Sequence, residues 1–406
     1  MRSAVCIGET MAMLTPARSA PLHQATELLF GIGGAESNVA MGLASMGVDA
    51  HWIGRVGRDG FGTRILLDLQ EHGVGISAVE VDPVRPTGLY VKVPATELPA
   101  SQPPATEPPA TERPATRLPA SQPPATESPA SELPAAAPAD RAAVVVPTQI
   151  PGSVLYYRQG SAASAMNTQT LENPEVAALL RDAGLIHLSG ITAALSDGCA
   201  ELCRSILTAP RAGRTVSFDV NWRPALWLDR DPSILRELAN LADVVLVGSD
   251  EAALAFGTQD EAELRRMLPD PSVLVIKNAD VSAIALHRDG SRVEVPALAV
   301  EVLEPVGAGD AFAAGYLSGM LLDLDQKSCL RRGHLSAAST LTVTGDRGPL
   351  PEPAVMSAVL GCADSEWALV RVAAGRVFAP TLGGAVGGAA LGGAAWGSAV
   401  WGSTAG

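Results

Sequence analysis

The stretch Glu304-Pro-Val-Gly307-Ala308-Gly309-Asp310-Ala-Phe sets two glycines and a carboxylate ahead of a small, apolar run, 311–322, that reads as a buried helix. Glycines let a chain turn tightly and bring N–H groups close to a ligand. Free N–H groups at the positive end of a helix attract anions. A carboxylate placed there can take a proton from a hydroxyl attacking the bound anion, which is what phosphoryl transfer requires. An ordinary N-cap aspartate would show the same local sequence. A second cluster, Gly31-Ile-Gly33-Gly34-Ala-Glu36-Ser-Asn38, precedes a helical run, 39–46. Its sixth position is Glu36, so it does not fit a dinucleotide fingerprint, and no Gly-Lys-Ser/Thr follows any glycine run. These glycines suit close backbone approach to a polyhydroxy ligand, with Asn38 supplying an amide.

The elements that must carry these residues alternate along the chain. Runs 4–8, 49–57, 185–190, 215–221, 243–248 and 272–277 are apolar or β-branched, and amphipathic segments such as 200–208 and 233–242 separate several of them. Continuous apolar strands between helices predict an α/β fold, a mostly parallel sheet with helices on both faces. Ligands of such sheets bind beyond the carboxyl ends of the strands. Two runs, 86–93 and 153–160, alternate in side-chain character and predict a small antiparallel β lid.

Between those lid strands, residues 94–133 form four ten-residue units rich in Pro, Ala, Thr and Glu, and Ala/Pro-rich sequence continues to 139. Proline density forbids ladders and little can be buried, so 94–139 reads as a disordered insertion of polyproline character. It suits either an inert surface loop or a docking site for a proline-binding partner. The Gly/Ala-rich tail, 381–406, has no helical or strand period and reads as disordered. The remaining chain, about 330 residues, is a normal size for one large domain, placed at 1–355.

A formal net charge of −14 argues against nucleic acid as a partner. Five cysteines without a CxxC pair suit buried thiols in a cytoplasmic protein, and no membrane span or signal peptide is evident. The six histidines make no transition-metal pattern.

The first glycine block, with WIGRVGRDGFGTRILLDLQEHGV (52–74), and EPVGAGDAFAAGYLSG (304–319) together resemble the two signatures of ribokinase/PfkB carbohydrate kinases. TGLYVK (87–92), YYRQGSAAS (156–164), HLSGITAALS (187–196) and FDVNWRPALW (218–227) most resemble those of 2-keto-3-deoxygluconate kinases. The resemblance implies a ribokinase-like fold and transfer of phosphate from ATP, with Mg²⁺, to a terminal hydroxyl of a sugar acid. A fructokinase, another ketose kinase, or a catalytically weak sugar-acid sensor are the alternatives. It implies that Asp310 is the base and that Gly307, Ala308 and Gly309 form the anion hole. Gly34, Asn38, Tyr90, Tyr156, Arg158, Arg223 and Asp346 would meet the sugar acid. Asn221, Ser249, Lys277, Ala279, Gly307, Gly309 and His334 would meet ATP, with Glu251 reaching the metal through water. A guanidinium pairs with a carboxylate in a fork, which suits Arg158 and Arg223 to a sugar acid, although either would also serve as a structural ion-pair partner. The resemblance also implies a homodimer through the lid. The chain departs from the family pattern in four places. Glu304 replaces an aspartate, and Gly248-Ser249-Asp250-Glu251 lacks an asparagine. Lys277-Asn278-Ala279-Asp280-Val281-Ser282-Ala283 lacks both glycines of the nucleotide loop. His334 replaces an asparagine.

Overall fold

Alternate residues along each central strand face two separate layers of core, and this divides the molecule. In Ser3–Ile7, Ala4 and Cys6 point to one layer and Val5 and Ile7 to the other; Val244 and Leu246 oppose Val245 and Val247 in the same way. This is the two-residue period of a strand buried on both faces. The structure is a computed structural model, and it describes residues 3–18, 21–93, 96–97, 149–150, 153–343, 345, 347–373, 376–380 and 388–390. The described chain divides into two compact units, 1–14 with 29–91 and 155–406, and 15–28 with 92–154.

In the first unit an eight-stranded sheet runs in the order Arg292–Pro296, Ser282–His287, Val273–Asn278, Val244–Gly248, Thr215–Asp219, Ala183–Ser189, Ser3–Ile7, Ala50–Ile53. The strands from Val273–Asn278 to Ala50–Ile53 pair in parallel, and the first two form an antiparallel edge. One face is covered by Ala35–Ser45, Gly60–Glu71, Ala308–Leu321 and Gln326–Leu341, the other by Asp197–Thr208, Ser233–Asn240 and Glu261–Met267. The predicted α/β architecture with its mostly parallel sheet is therefore present. The run 49–57 is two strands rather than one, because Arg55–Gly57 leaves the large sheet to pair with Glu80–Asp82.

The helix Ala308–Leu321 is placed by close backbone approach. A Cβ on Gly315 would lie 2.5 Å from the Arg332 carbonyl oxygen, and one on Gly319 would lie 3.0 Å from Cys329 Sγ. Small residues at these crossings let it lie tight against Gln326–Leu341, which fixes where its N-terminus ends. The core also runs past residue 355, through Met356, Val359, Trp367, Val372 and Val377.

A separate four-stranded sheet orders Ser153–Tyr157, Leu89–Val93, Met11–Pro16 and Leu28–Gly33. The two predicted lid strands are neighbours in it, and two strands near the chain start extend it. Within the first unit Ala12, Met13 and Leu14 pair in parallel with Leu89, Tyr90 and Val91. Most of 94–139 lies outside the described residues; in the second unit Thr96–Glu97 pairs antiparallel with Gln149–Ile150. Most of 381–406 also lies outside them. Gly388–Ala390, where the sequence shows no period, pairs with Arg376–Phe378. Backbone ladder bonds need no side-chain pattern, which is why composition misses such a strand. All five cysteines are buried and unpaired, and burial raises their thiol pKa values. Among the described residues no helix is long and apolar enough to cross a membrane.

Candidate active site

The helix Ala308–Leu321 begins three residues earlier than the apolar run suggests. Its N-cap is Gly307, in the left-handed region at φ 83°, and no side chain caps that end. The first-turn N–H groups of Ala308 and Gly309 thus lie at a helix end that no side chain caps. Asp310 is the third helical residue and not the cap. Its carboxylate instead accepts two side-chain amides: Asn38 Nδ2 donates to Oδ2 at 2.9 Å, and Asn221 Nδ2 donates to Oδ1 at 3.3 Å. The N-cap alternative for this residue falls on that geometry.

Asn38 lies in the helix Ala35–Ser45 and is buried. Gly34 precedes this helix in extended backbone, and a Cβ there would fall 2.2 Å from the Glu9 carbonyl oxygen. Only glycine lets the two segments pass. Asn221 follows the strand Thr215–Asp219 at φ 41°, a left-handed conformation that asparagine tolerates. Its N–H donates to Asp219 Oδ1 at 3.2 Å. Lys277, near the end of Val273–Asn278, donates from Nζ to Asp219 Oδ2 at 2.8 Å and Oδ1 at 3.2 Å. A Cβ on Gly309 would lie 3.8 Å from that Nζ, so the ammonium stands beside the open helix end. Burial alone would lower the Lys277 pKa; the charges of Asp219, Glu251 and Asp310 outweigh it and hold the group protonated. His187 lies fully buried with Nδ1 2.9 Å from Ser217 Oγ, and burial, then the Lys277 charge, push its pKa down to about 3. The imidazole is neutral.

Two buried carboxylates line the Asn38 side. Glu36 Oε1 accepts from Ser189 Oγ at 2.7 Å and Thr192 Oγ1 at 2.6 Å, while Oε2 has no hydrogen-bond partner. Burial raises its pKa to about 7, against those hydroxyls and helped by the Asp310 charge. Glu9 Oε1 accepts from Ser161 Oγ at 3.1 Å, and Arg158 Nε lies 3.4 Å from Glu9 Oε2. The Arg158 guanidinium sits over the Tyr156 ring, 4.7 Å from its centre, and that ring is 5.9 Å from Tyr90. Tyr90, Tyr156 and Arg158 thus form one group.

Other expected residues have partners of their own. Arg223 is half-exposed and donates to Glu251 Oε1 at 3.2 Å, and Glu251 Oε2 accepts the Gly248 N–H at 2.8 Å. The Glu251 carboxylate therefore closes the start of Ser249–Phe256, where Ser249 is the first helical residue. Ala279 takes φ 44° in the turn between Val273–Asn278 and Ser282–His287. A left-handed backbone survives there although the glycine does not. His334 is not brought to the cluster: it is buried, its Nε2 lies 3.1 Å from the Val295 carbonyl oxygen, and Phe312 meets its ring edge-on. Burial lowers its pKa to about 4. Asp346 lies outside the described residues; beside it, the Gly345 N–H donates to Glu304 Oε2 at 2.9 Å. Sequence reasoning passed over Asp219, Glu36 and Glu9. Opposite charges at the carboxyl ends of nearby parallel strands, Asp219 and Lys277, were the available signal.

Residues 1–97 and 142–353 match the pfkB family of carbohydrate kinases. The chain is 30% identical to a 2-dehydro-3-deoxygluconokinase of Bacillus subtilis, over 86% of this chain and 92% of that one. It is 28% identical to a 2-dehydro-3-deoxygluconokinase of Thermoproteus tenax, over 87% and 92% respectively. The crystal structure of a PfkB protein from Polaromonas sp. JS666 superposes with a TM-score of 0.62 at 27% identity, over 83% of this chain and 95% of that one. On the match of both chain segments, the protein belongs to the pfkB family and is a carbohydrate kinase.

Proposed function

We propose that this kinase transfers the γ-phosphate of ATP to the terminal primary hydroxyl of a keto-sugar acid, with 2-keto-3-deoxygluconate the best candidate. The observation that supports it most is Asp310, held by Asn38 and Asn221 at an uncapped helix end with Lys277 beside it. The N–H groups of the Gly307-Ala308-Gly309 turn and the Lys277 ammonium receive the transferring phosphate's charge. Asp310 orients the hydroxyl and takes its proton, an effect worth roughly 10²–10⁴-fold in rate. Asn38 and Asn221 keep that carboxylate aimed outward instead of onto its own helix.

Recognition of the acid falls to Arg158, which the Tyr156 ring and Glu9 hold in place. The pairing of Arg223 with Glu251 puts it on the nucleotide side in this reading. Both Glu251 oxygens are engaged, so Mg²⁺ fits there only through water, travelling on the ATP phosphates whose charge it neutralises. The exposed Leu29, Phe30, Leu155 and Tyr157 of the small sheet suit a second copy of this chain, giving a homodimer that sedimentation tests. A cytoplasmic location agrees with the buried thiols.

The test is ATP-dependent turnover of 2-keto-3-deoxygluconate, with fructose and ribose alongside. Turnover preferring the sugar acid supports the proposal; equal or better turnover of fructose moves the substrate to the ketoses.

A further inference from the structure

Asp219 touches two parts of the site at once, and nothing in its strand requires it. In the strand Thr215–Asp219, Val216 and Phe218 are buried in the apolar core and Ser217 pairs with His187, while Asp219 ends the strand almost without exposure. Its Oδ1 accepts the Asn221 N–H at 3.2 Å, and both oxygens accept from Lys277 Nζ, at 2.8 and 3.2 Å. The first bond closes a short turn over residue 220 and holds Asn221 at φ 41°, the conformation from which its amide reaches Asp310. The second draws Lys277 to within reach of Gly309, across one intervening strand. One carboxylate thus sets the aim of a group on the base and of a cation on the phosphate.

We infer that Asp219 is a positioning residue of the kinase reaction, coupling the Lys277 ammonium at the phosphate to the Asn221 amide at Asp310. The inference rests on the phosphoryl-transfer reading of the Asp310 corner. Among the described residues four ionisable groups face Lys277. They are Asp219 from its strand, Glu251 from Ser249–Phe256, Asp310 from Ala308–Leu321, and the neutral His187 from Ala183–Ser189. Asp219 is the one that hydrogen-bonds it among the contacts described, so removing its charge weakens the protonated form.

Two substitutions separate the arms. Asp219→Asn keeps an oxygen for the Asn221 N–H and removes the charge facing Lys277; Asp219→Ala removes both. Full-length protein is assayed for kcat and for sugar and ATP KM across pH, and separately for thermal stabilisation by Mg-ATP. The expected result for Asp219→Asn is kcat lower by about 10- to 100-fold with sugar KM within about twofold, since phosphate contacts act in the transition state. The alkaline limb of the pH profile moves down, and stabilisation by Mg-ATP shrinks. Asp219→Ala loses about a further tenfold in kcat. A merely structural aspartate would alter Tm but leave the limb in place. Unchanged kcat and an unmoved limb in folded Asp219→Asn overturn the inference. Should that variant not fold, Lys277→Met carries the test: it leaves the Asn221 turn intact, and wild-type kcat in it overturns the inference equally. A wild type that turns over none of the sugars sinks the proposed substrate reaction alone. Mg-ATP stabilisation then still decides on Asp219, and equal stabilisation of wild type and Asp219→Asn rejects it.

Discussion

Asn38 and Asp310 stand 272 positions apart in sequence and are joined by a 2.9 Å hydrogen bond from amide to carboxylate. Each follows a glycine N-cap, Gly34 in extended backbone and Gly307 in a left-handed one, and each lies in the first turn or just past it of its own helix. The helices that follow the two glycine blocks therefore meet at the Asp310 carboxylate.

Replacing Asp310 by Asn keeps the shape of the carboxylate and removes its basicity. Turnover is expected to fall roughly 10²–10⁴-fold, with sugar KM little changed. Steady-state kinetics checks this, with circular dichroism confirming the fold; near-normal kcat would remove Asp310 from the role of base.

Burial raises Glu36 from 4.5 to about 7, so the folded protein favours its protonated form. The unfolded chain releases this proton near pH 4.5, the folded one near 7. Stability referred to a neutral residue thus falls as pH rises through that window, by about 3 kcal/mol at most, and is flat above it. The melting temperature of Glu36→Gln minus that of wild type should climb between pH 4.5 and 7. A difference independent of pH would show that Glu36 does not titrate there.

Ala279 holds a left-handed backbone at φ 44°. A Cβ in that region costs about 1–2 kcal/mol, part of which glycine returns through its freer unfolded chain. Ala279→Gly should raise stability by up to about 1 kcal/mol in urea unfolding and should not weaken ATP binding. A loss of stability would mean that the turn gains from its alanine.

Arg158 is expected to select the acid group. Arg158→Ala should raise KM for 2-keto-3-deoxygluconate about tenfold or more, as loss of a charge-assisted pair does, while leaving any fructose turnover nearly unchanged. Equal effects on both sugars would assign it to the lid's structure alone.

The buried strands were legible because burial on both sheet faces favours a continuous apolar run, which Val244–Gly248 follows closely. The position of Asp310 at a helix start was legible from the glycines before it, whereas its bonds to Asn38 and Asn221 were not, since an N-cap aspartate shows the same local sequence. The placement of Arg223 was not, since its type and spacing suit a substrate carboxylate and Glu251 equally. His334 was read by position in a pattern, whereas packing against Phe312 and Trp367 decides where its ring lies. The position of Asp219 beside Lys277 depends on strand order: Lys277 is 58 residues away in sequence, yet a single strand separates the two in the sheet.

The long reach between Asn38 and Asp310 also governs when the site comes into being. The strand Ser3–Ile7 has Ala183–Ser189 and Ala50–Ile53 as its neighbours, so the sheet's middle closes only after residue 189 has been made. Asp310 joins Asn38 later still. Contacts this distant in sequence form slowly and together. A nascent or half-folded chain therefore lacks the bond that joins Asn38 to Asp310.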